Sequence, residues 1–204
     1  MEQISPRKPE VLTQQEILEI FKGTGALLSG HFLLTSGLHS PTYFQCAKVL
    51  QYPKYAEQLC GQLAERFRDR EIDVAIAPAI GGIVVACEVG RRLDVRTIFA
   101  EREAGRMALR RGFVIHPGEK ALVVEDVITT GGSVQEVIEV VEENRGVVVG
   151  VGCLVDRSGG KVRFSVPFAS LVQMEVVTYR PEHCPLCAKG IALVKPGSRE
   201  NAGN

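Results

Sequence analysis

No apolar run in this chain of 204 residues approaches the ~20 positions a membrane-spanning helix needs. Residues Met1–Glu10 are polar and hold two prolines, with nothing like the apolar core of a secretory signal. Both absences point to a cytoplasmic protein with no business at a membrane. Excess charge of either sign is missing too: 24 Lys and Arg face 24 Asp and Glu, a formal net charge of +0. That balance excludes nucleic-acid binding by bulk electrostatics but allows a local basic loop. Internal repeats and low-complexity segments are absent, which removes solenoids and disordered linkers. Cysteine is sparse. Of six, Cys46, Cys60, Cys87 and Cys153 sit in or beside apolar runs, where a free thiol behaves as a small hydrophobe. The tail His183-Cys184-Pro185-Leu186-Cys187 holds a single C-x-x-C. A structural zinc needs four ligands and no second such pair is offered, so plain packing is expected there. A redox pair, or a metal shared across a symmetry axis, are the alternatives.

What is present is an ordinary globular composition, 45% hydrophobic and 24% charged, long enough for one domain with a substantial core. Its organising stretch is Ala121 to Ser133. An apolar run of strand length ends in two adjacent carboxylates, Glu125 and Asp126. A turn rich in hydroxyls and glycine follows, then a helix over 134–144 with Val137, Ile138 and Val141 on one face. Gly131 and Gly132 let consecutive N–H groups converge on an anion, and the positive end of the helix dipole lies behind them. Thr129, Thr130 and Ser133 add hydroxyl donors. The lysine of a Walker A loop is lacking, so a nucleotide triphosphate is not the obvious ligand. Carboxylates accept from vicinal hydroxyls, so strand end and loop together suit a sugar phosphate.

The rest of the chain supports that reading. Thr13 to Glu16 forms a capping box opening a helix that stops near Gly23–Gly25. Residues 26–48 suggest a small antiparallel unit with its turn at Ser36–Pro41. Pro53 starts another helix whose stripe runs from Ala56 to Phe67. Strands follow at 73–77, 96–100, 112–115, 121–126 and 147–155, with helices between most of them. The pattern predicts an α/β fold, a mostly parallel sheet covered on both faces. A second glycine loop, Ala79-Ile80-Gly81-Gly82, joins a strand end to a helix start. Parallel strands bring both loops to one sheet edge. Arg102, Arg106, Arg110 and Arg111, around Ala104 and Gly105, read as a lid suited to a polyanion. Arg157, just past a strand end, faces the same crevice, free to grip a planar carboxylate or else paired to Asp156.

Val123-Val124-Glu125-Asp126-Val127-Ile128-Thr129-Thr130-Gly131-Gly132-Ser133 resembles the phosphoribosyl-diphosphate motif of the type I phosphoribosyltransferases. The likeness covers most of the chain and is strongest to the orotate-using branch, whose N-terminal segment is similar to residues 30–44. It implies a Rossmann-like single domain over 1–204, with an N-terminal hood at 12–50, a core sheet at 70–178 and a tail at 179–204. It implies that Glu125 and Asp126 hold ribose hydroxyls while the loop from Val127 to Ser133 holds the 5-phosphate. Ala79 to Gly82 would be the diphosphate loop, with a cis peptide at Ala79–Ile80. Arg102 and Arg106 would reach diphosphate in the neighbouring subunit of a homodimer. Arg157, Thr129 and the backbone of Phe44 would meet orotate, and Mg²⁺ would accompany the diphosphate. The reaction implied is transfer of phosphoribose to orotate, giving orotidine 5′-monophosphate. Three departures stand out: Thr35 and Gly81 occupy places where relatives carry Lys, and the lid lacks Lys and His. A transferase for a purine-type base, or a regulator that binds phosphoribosyl diphosphate without turnover, are the alternatives.

Overall fold

The computed structural model describes residues 11–34 and 36–196. Residues 1–10, the departure at Thr35 and residues 197–204 lie outside the described residues. Helix α1 (Gln14–Gly23) opens on the expected capping box. Thr13 accepts from the Glu16 amide, and Glu16 accepts from the Thr13 amide at 2.7 Å. Its Ile17 and Phe21 are buried. Strands β1 (Leu27–Leu33) and β2 (His39–Phe44) pair antiparallel as a separate hairpin. The reversal therefore falls between Leu33 and His39, earlier than expected, and Pro41 sits inside β2. A two-stranded sheet has free outer edges, where the missing proline N–H costs no ladder bond.

A short helix α2 (Ala47–Leu50) leads to α3 (Pro53–Glu65), whose Ala56, Leu59, Cys60, Leu63 and Ala64 are buried. Then come β3 (Val74–Pro78), α4 (Gly82–Leu93), β4 (Arg96–Glu103), β5 (Arg106–Leu109), β6 (Lys120–Ile128), α5 (Gly132–Glu143), β7 (Val147–Asp156) and β8 (Phe168–Gln173). The chain finishes through a 3-10 turn and a one-turn helix, α6 (Pro185–Ala188). Strand order in the main sheet is β5-β4-β3-β6-β7-β8, parallel throughout except for β5. Consecutive residues of β6 serve opposite faces. Leu122 and Val124 join the cluster under α1, α3 and α4, whereas Ala121 and Val123 join the one under α5. Two buried faces explain why this strand is apolar along its length instead of alternating. Among the described residues no helix is long and apolar enough to cross a membrane.

The expected strand at 112–115 is not formed. The return strand is β5, six residues earlier in the chain, and 110–119 is irregular. Arg111 (φ 57°) and Gly112 (φ 75°) both adopt left-handed backbone, which breaks an extended run. The apolar residues that suggested a strand are still used. Phe113 packs edge-on to Phe99 with ring centres 5.0 Å apart, and Ile115 is buried.

Candidate active site

Three parallel strands, β3, β6 and β7, end at one edge of the sheet, and the candidate residues follow them. After β3 the chain turns through the cis peptide Ala79–Ile80, as the resemblance implied. The bend presses against the end of β6. A methyl group added at Gly81 would lie 2.7 Å from Asp126 Oδ2, and one at Gly82 would lie 3.0 Å from Glu125 Oε1. Glycine at both positions is thus a condition for the two loops to touch. The Asp126 carboxylate already occupies the space in which a lysine at position 81 would begin.

The loop after β6 has the backbone expected of an anion cradle. Gly131 adopts φ 81° at the N-cap of α5, a conformation that other residues reach only at a cost. Its neighbours Val127 to Val134, with Glu125, line a hollow of about 60 Å³, roughly twice the volume per water molecule in the liquid. That is room for one compact oxyanion.

Glu125 is buried and Asp126 half-buried. Burial pushes both carboxyls upward, Glu125 well above its ordinary value because the Asp126 charge adds to the desolvation. Local amides compensate in part: Glu125 Oε1 accepts from the Asp126 N–H at 3.0 Å, and Asp126 Oδ1 from the Val127 N–H at 2.7 Å. Two carboxylates crowded into a dry crevice suit a positive group. The donor set is all oxygen, which fits a hard divalent cation.

Arg157 lies past the end of β7, its main-chain N–H bonded to the Ile128 carbonyl at 2.8 Å. The alternative of a pair with Asp156 is not realised. Asp156 is buried and accepts from the N–H groups of Ser158 and Gly160 instead. The buried Nε of Arg157 has no partner, and burial lowers the guanidinium pKa. Arg157 lines a cleft of about 690 Å³ with Thr129, Thr130, Ser158 and Lys161. Phe44 turns its ring away, packed edge-on to Phe21 at 5.8 Å and buried, so only its backbone remains for a ligand. Tyr43, whose hydroxyl burial pushes upward and Arg157 pulls back, and Lys161 were not singled out from the sequence. Neither belongs to a recognisable motif: the return of the hood toward the sheet reveals Tyr43, and the segment after β7 brings Lys161 to the cleft.

The arginines of the β4–β5 hairpin rest on carboxylates. Arg102 bonds Glu136 of α5 at 2.8 Å, and Arg111 bonds Glu101 through two contacts at 2.7 and 2.9 Å. Arg106 meets Glu143 and Arg110 meets Glu103, each at 3.5 Å. Elsewhere the C-x-x-C pair is not simply packed. Cys184 and Cys187 lie against His31 and His39 of the hood.

A crevice of this kind, with a glycine loop beside a carboxylate pair and a tight cis-peptide bend, has the form of a sugar-phosphate transferase site of the phosphoribosyl type. Residues 48–178 match the family model described as phosphoribosyl transferase domain. The chain is 60% identical over 191 residues to an orotate phosphoribosyltransferase of Chlorobaculum parvum, covering 94% of this chain and 99% of that protein. It is also 60% identical over 189 residues to one from Pelotomaculum thermopropionicum, covering 93% and 100%. The crystal structure of an orotate phosphoribosyltransferase from Aeropyrum pernix superimposes with a TM-score of 0.64 at 27% identity, covering 78% of this chain and 93% of that one. The chain belongs to the phosphoribosyltransferase family and, within it, to the orotate phosphoribosyltransferases.

Proposed function

We propose that this protein transfers the phosphoribosyl group of 5-phosphoribosyl 1-diphosphate to orotate, forming orotidine 5′-monophosphate and diphosphate. The observation that carries the choice of base is the buried, unpartnered Nε of Arg157. A buried guanidinium donor left without an acceptor is costly, and a planar carboxylate on the incoming base supplies one. Orotate has that group; a purine does not.

The roles follow from the crevice. The N–H groups and hydroxyls of Val127 to Ser133 hold the 5-phosphate at the start of α5. Glu125 and Asp126 accept from the ribose 2- and 3-hydroxyls. The bend Ala79 to Gly82 lies against them and offers its N–H groups to the diphosphate. Thr129, Arg157 and the Phe44 backbone orient orotate. Its ring nitrogen attacks C1 of the sugar while the C1–O bond breaks and its electron pair leaves with diphosphate. Positive charge developing on the sugar is stabilised by the carboxylate pair, whose raised pKa values mark how poorly solvated they are without it. Glu125 and Asp126 would be the residues nearest a Mg²⁺ ion arriving with the diphosphate, which would supply neutralisation of charge on the leaving group. The charge of orotate sits on its carboxylate, and the acidic proton of the attacking ring nitrogen passes to the departing diphosphate as the N–C1 bond forms, so no dedicated protein base is needed. Arg102 and Arg106 neutralise diphosphate but donate no proton, since a guanidinium stays charged below pH ~12. The Arg106–Glu143 pair is exposed and contributes only about 0–1 kcal/mol, and Arg102 is itself exposed where it meets the half-buried Glu136, so both arginines can exchange these partners for a polyanion.

The reading extends to a homodimer in which the hairpin of one subunit covers the partner's crevice, and to a cytoplasmic setting, which the six free thiols support. A mixture of hairpin-deleted chains with E125Q/D126N chains recovers activity if sites are shared and none if they are self-contained. The decisive test of the base is R157A. The orotate KM rises by about 10²-fold, the scale of truncating one partner of a buried charged pair, while that for phosphoribosyl diphosphate stays within about twofold. Equal changes in both constants would remove Arg157 from the base site.

A further inference from the structure

The hood and the tail meet at a cluster that the transferase chemistry does not use. His31 of β1 and His39 of β2 face Cys184 and Cys187, which flank the start of α6, and all four donor atoms lie within 4.8 Å of one another. We propose that these residues form a closed structural zinc site that fastens the tail to the hood.

Four features support it. First, the donor set is two thiols and two imidazoles, the composition zinc selects for tetrahedral structural sites. Second, three of the four N···S spacings match tetrahedron edges. Zinc–sulfur bonds of ~2.3 Å and zinc–nitrogen bonds of ~2.0–2.1 Å require N···S edges of about 3.6 Å. Cys184 Sγ lies 3.5 Å from His31 Nε2, and Cys187 Sγ lies 3.7 Å from His31 Nε2 and 3.4 Å from His39 Nδ1. The two ring nitrogens, 2.8 Å apart, need to open by about half an ångström. Third, the His31 ring is oriented for ligation. Its Nδ1 lies 2.7 Å from the Ile191 carbonyl, which can only accept and so favours a proton on Nδ1, while Nε2 faces the cluster. Fourth, three of the four residues are buried while Cys187 is exposed, leaving a way in for the ion.

Binding would expel both thiol protons and move the His39 proton to its outer nitrogen. No coordination position would be left for water, so the site would hold and not catalyse. What it would hold is plain from the strands. His39 exchanges main-chain hydrogen bonds with Tyr179 at 2.9 and 2.8 Å, and Val194 bonds to His31 and Leu33 at 2.8 Å each. A zinc ion would lock this β-bridged junction between segments far apart in sequence, and with it the β2 strand that ends at Phe44.

The full-length protein, purified without added metal or chelator, is expected to carry about one zinc per chain by elemental analysis. Exchange for cobalt gives the intense visible bands of a tetrahedral thiolate site. C187S, at an exposed position and so the least disruptive change, loses the metal and the cobalt spectrum. Stripping the ion lowers the wild-type Tm by about 5–10 °C and leaves C187S unmoved. A metal content below about one tenth per chain with no uptake of added zinc overturns the proposal. So does metal retained undiminished in both C187S and H39Q, or a Cys184–Cys187 disulfide in protein kept under reducing conditions.

Discussion

The sheet edge and the hood–tail junction both gather polar side chains, but they treat them in opposite ways. At the edge, Glu125 and Asp126 are crowded together and desolvated, and the Arg157 Nε is buried without an acceptor. At the junction every ligating atom already has a neighbour among the other three. An arrangement that is unsatisfied alone is completed by a ligand that comes and goes. One that is nearly satisfied alone is completed by an ion that stays. The contrast predicts that removing charge at the edge costs activity and gains stability, whereas removing a ligand at the junction costs stability first.

The largest effect expected is at the carboxylate pair. E125Q removes charge that serves only when sugar is bound, and kcat/KM falls by about 10²–10³-fold, the scale of losing one preorganised electrostatic partner. The ligand-free variant is more stable than wild type, and the sign depends on pH. A carboxyl raised above its ordinary value near 4.5 stabilises the fold while protonated, and that contribution is lost as pH rises through the raised value. The amide does not titrate. The Tm advantage of E125Q is therefore small at pH 5 and widens toward pH 8, each kcal/mol counting for about 2–4 °C in a chain of this size. A variant less stable than wild type across that range would mean that Glu125 is held by something other than a missing ligand.

Next in size is the cradle. G131A puts a methyl group on a φ 81° backbone, 3.0 Å from Val162 Cγ1 and 3.2 Å from Phe164 Cζ. A left-handed residue with a side chain costs roughly 1–2 kcal/mol. Because the strained residue is the N-cap of α5, the KM for phosphoribosyl diphosphate should rise about tenfold, with orotate affinity at saturating sugar phosphate little changed. An unaltered KM would show that the phosphate is held by side chains alone.

The two regions also differ in how far the sequence disclosed them. The cradle was legible because its parts are contiguous: apolar strand, carboxylates, glycine turn and helix start fall within 121–133, and buried parallel strands then force 79–82 and Arg157 to the same edge. The crossovers of the sheet could be read for the same reason. The junction could not be read, because its ligands come from positions 31, 39, 184 and 187, and nothing local pairs two hood histidines with a tail motif. The strand expected at 112–115 failed for a third reason. Burial, not extension, explains Phe113 and Ile115, and an apolar pattern alone does not distinguish the two.

The smallest predicted effect asks whether the regions communicate. T13A removes the capping box of α1, a loss of about 1 kcal/mol, seen as a Tm lower by about 2–4 °C. The substitution lies outside both sites, but α1 carries Phe21, and Phe21 packs on Phe44 at the end of β2. If the hairpin is seated by its own core contacts and by the junction, a frayed first turn leaves Ile17 and Phe21 in place and both KM values within about twofold. If α1 seats it, the orotate KM rises in step with the fall in Tm while that for phosphoribosyl diphosphate holds. The cap and the metal ligands share no contact, so their stability losses should add within about 0.5 kcal/mol when T13A and C187S are combined. A combined loss well outside that sum would mean that α1 and the tail hold the hood as one unit.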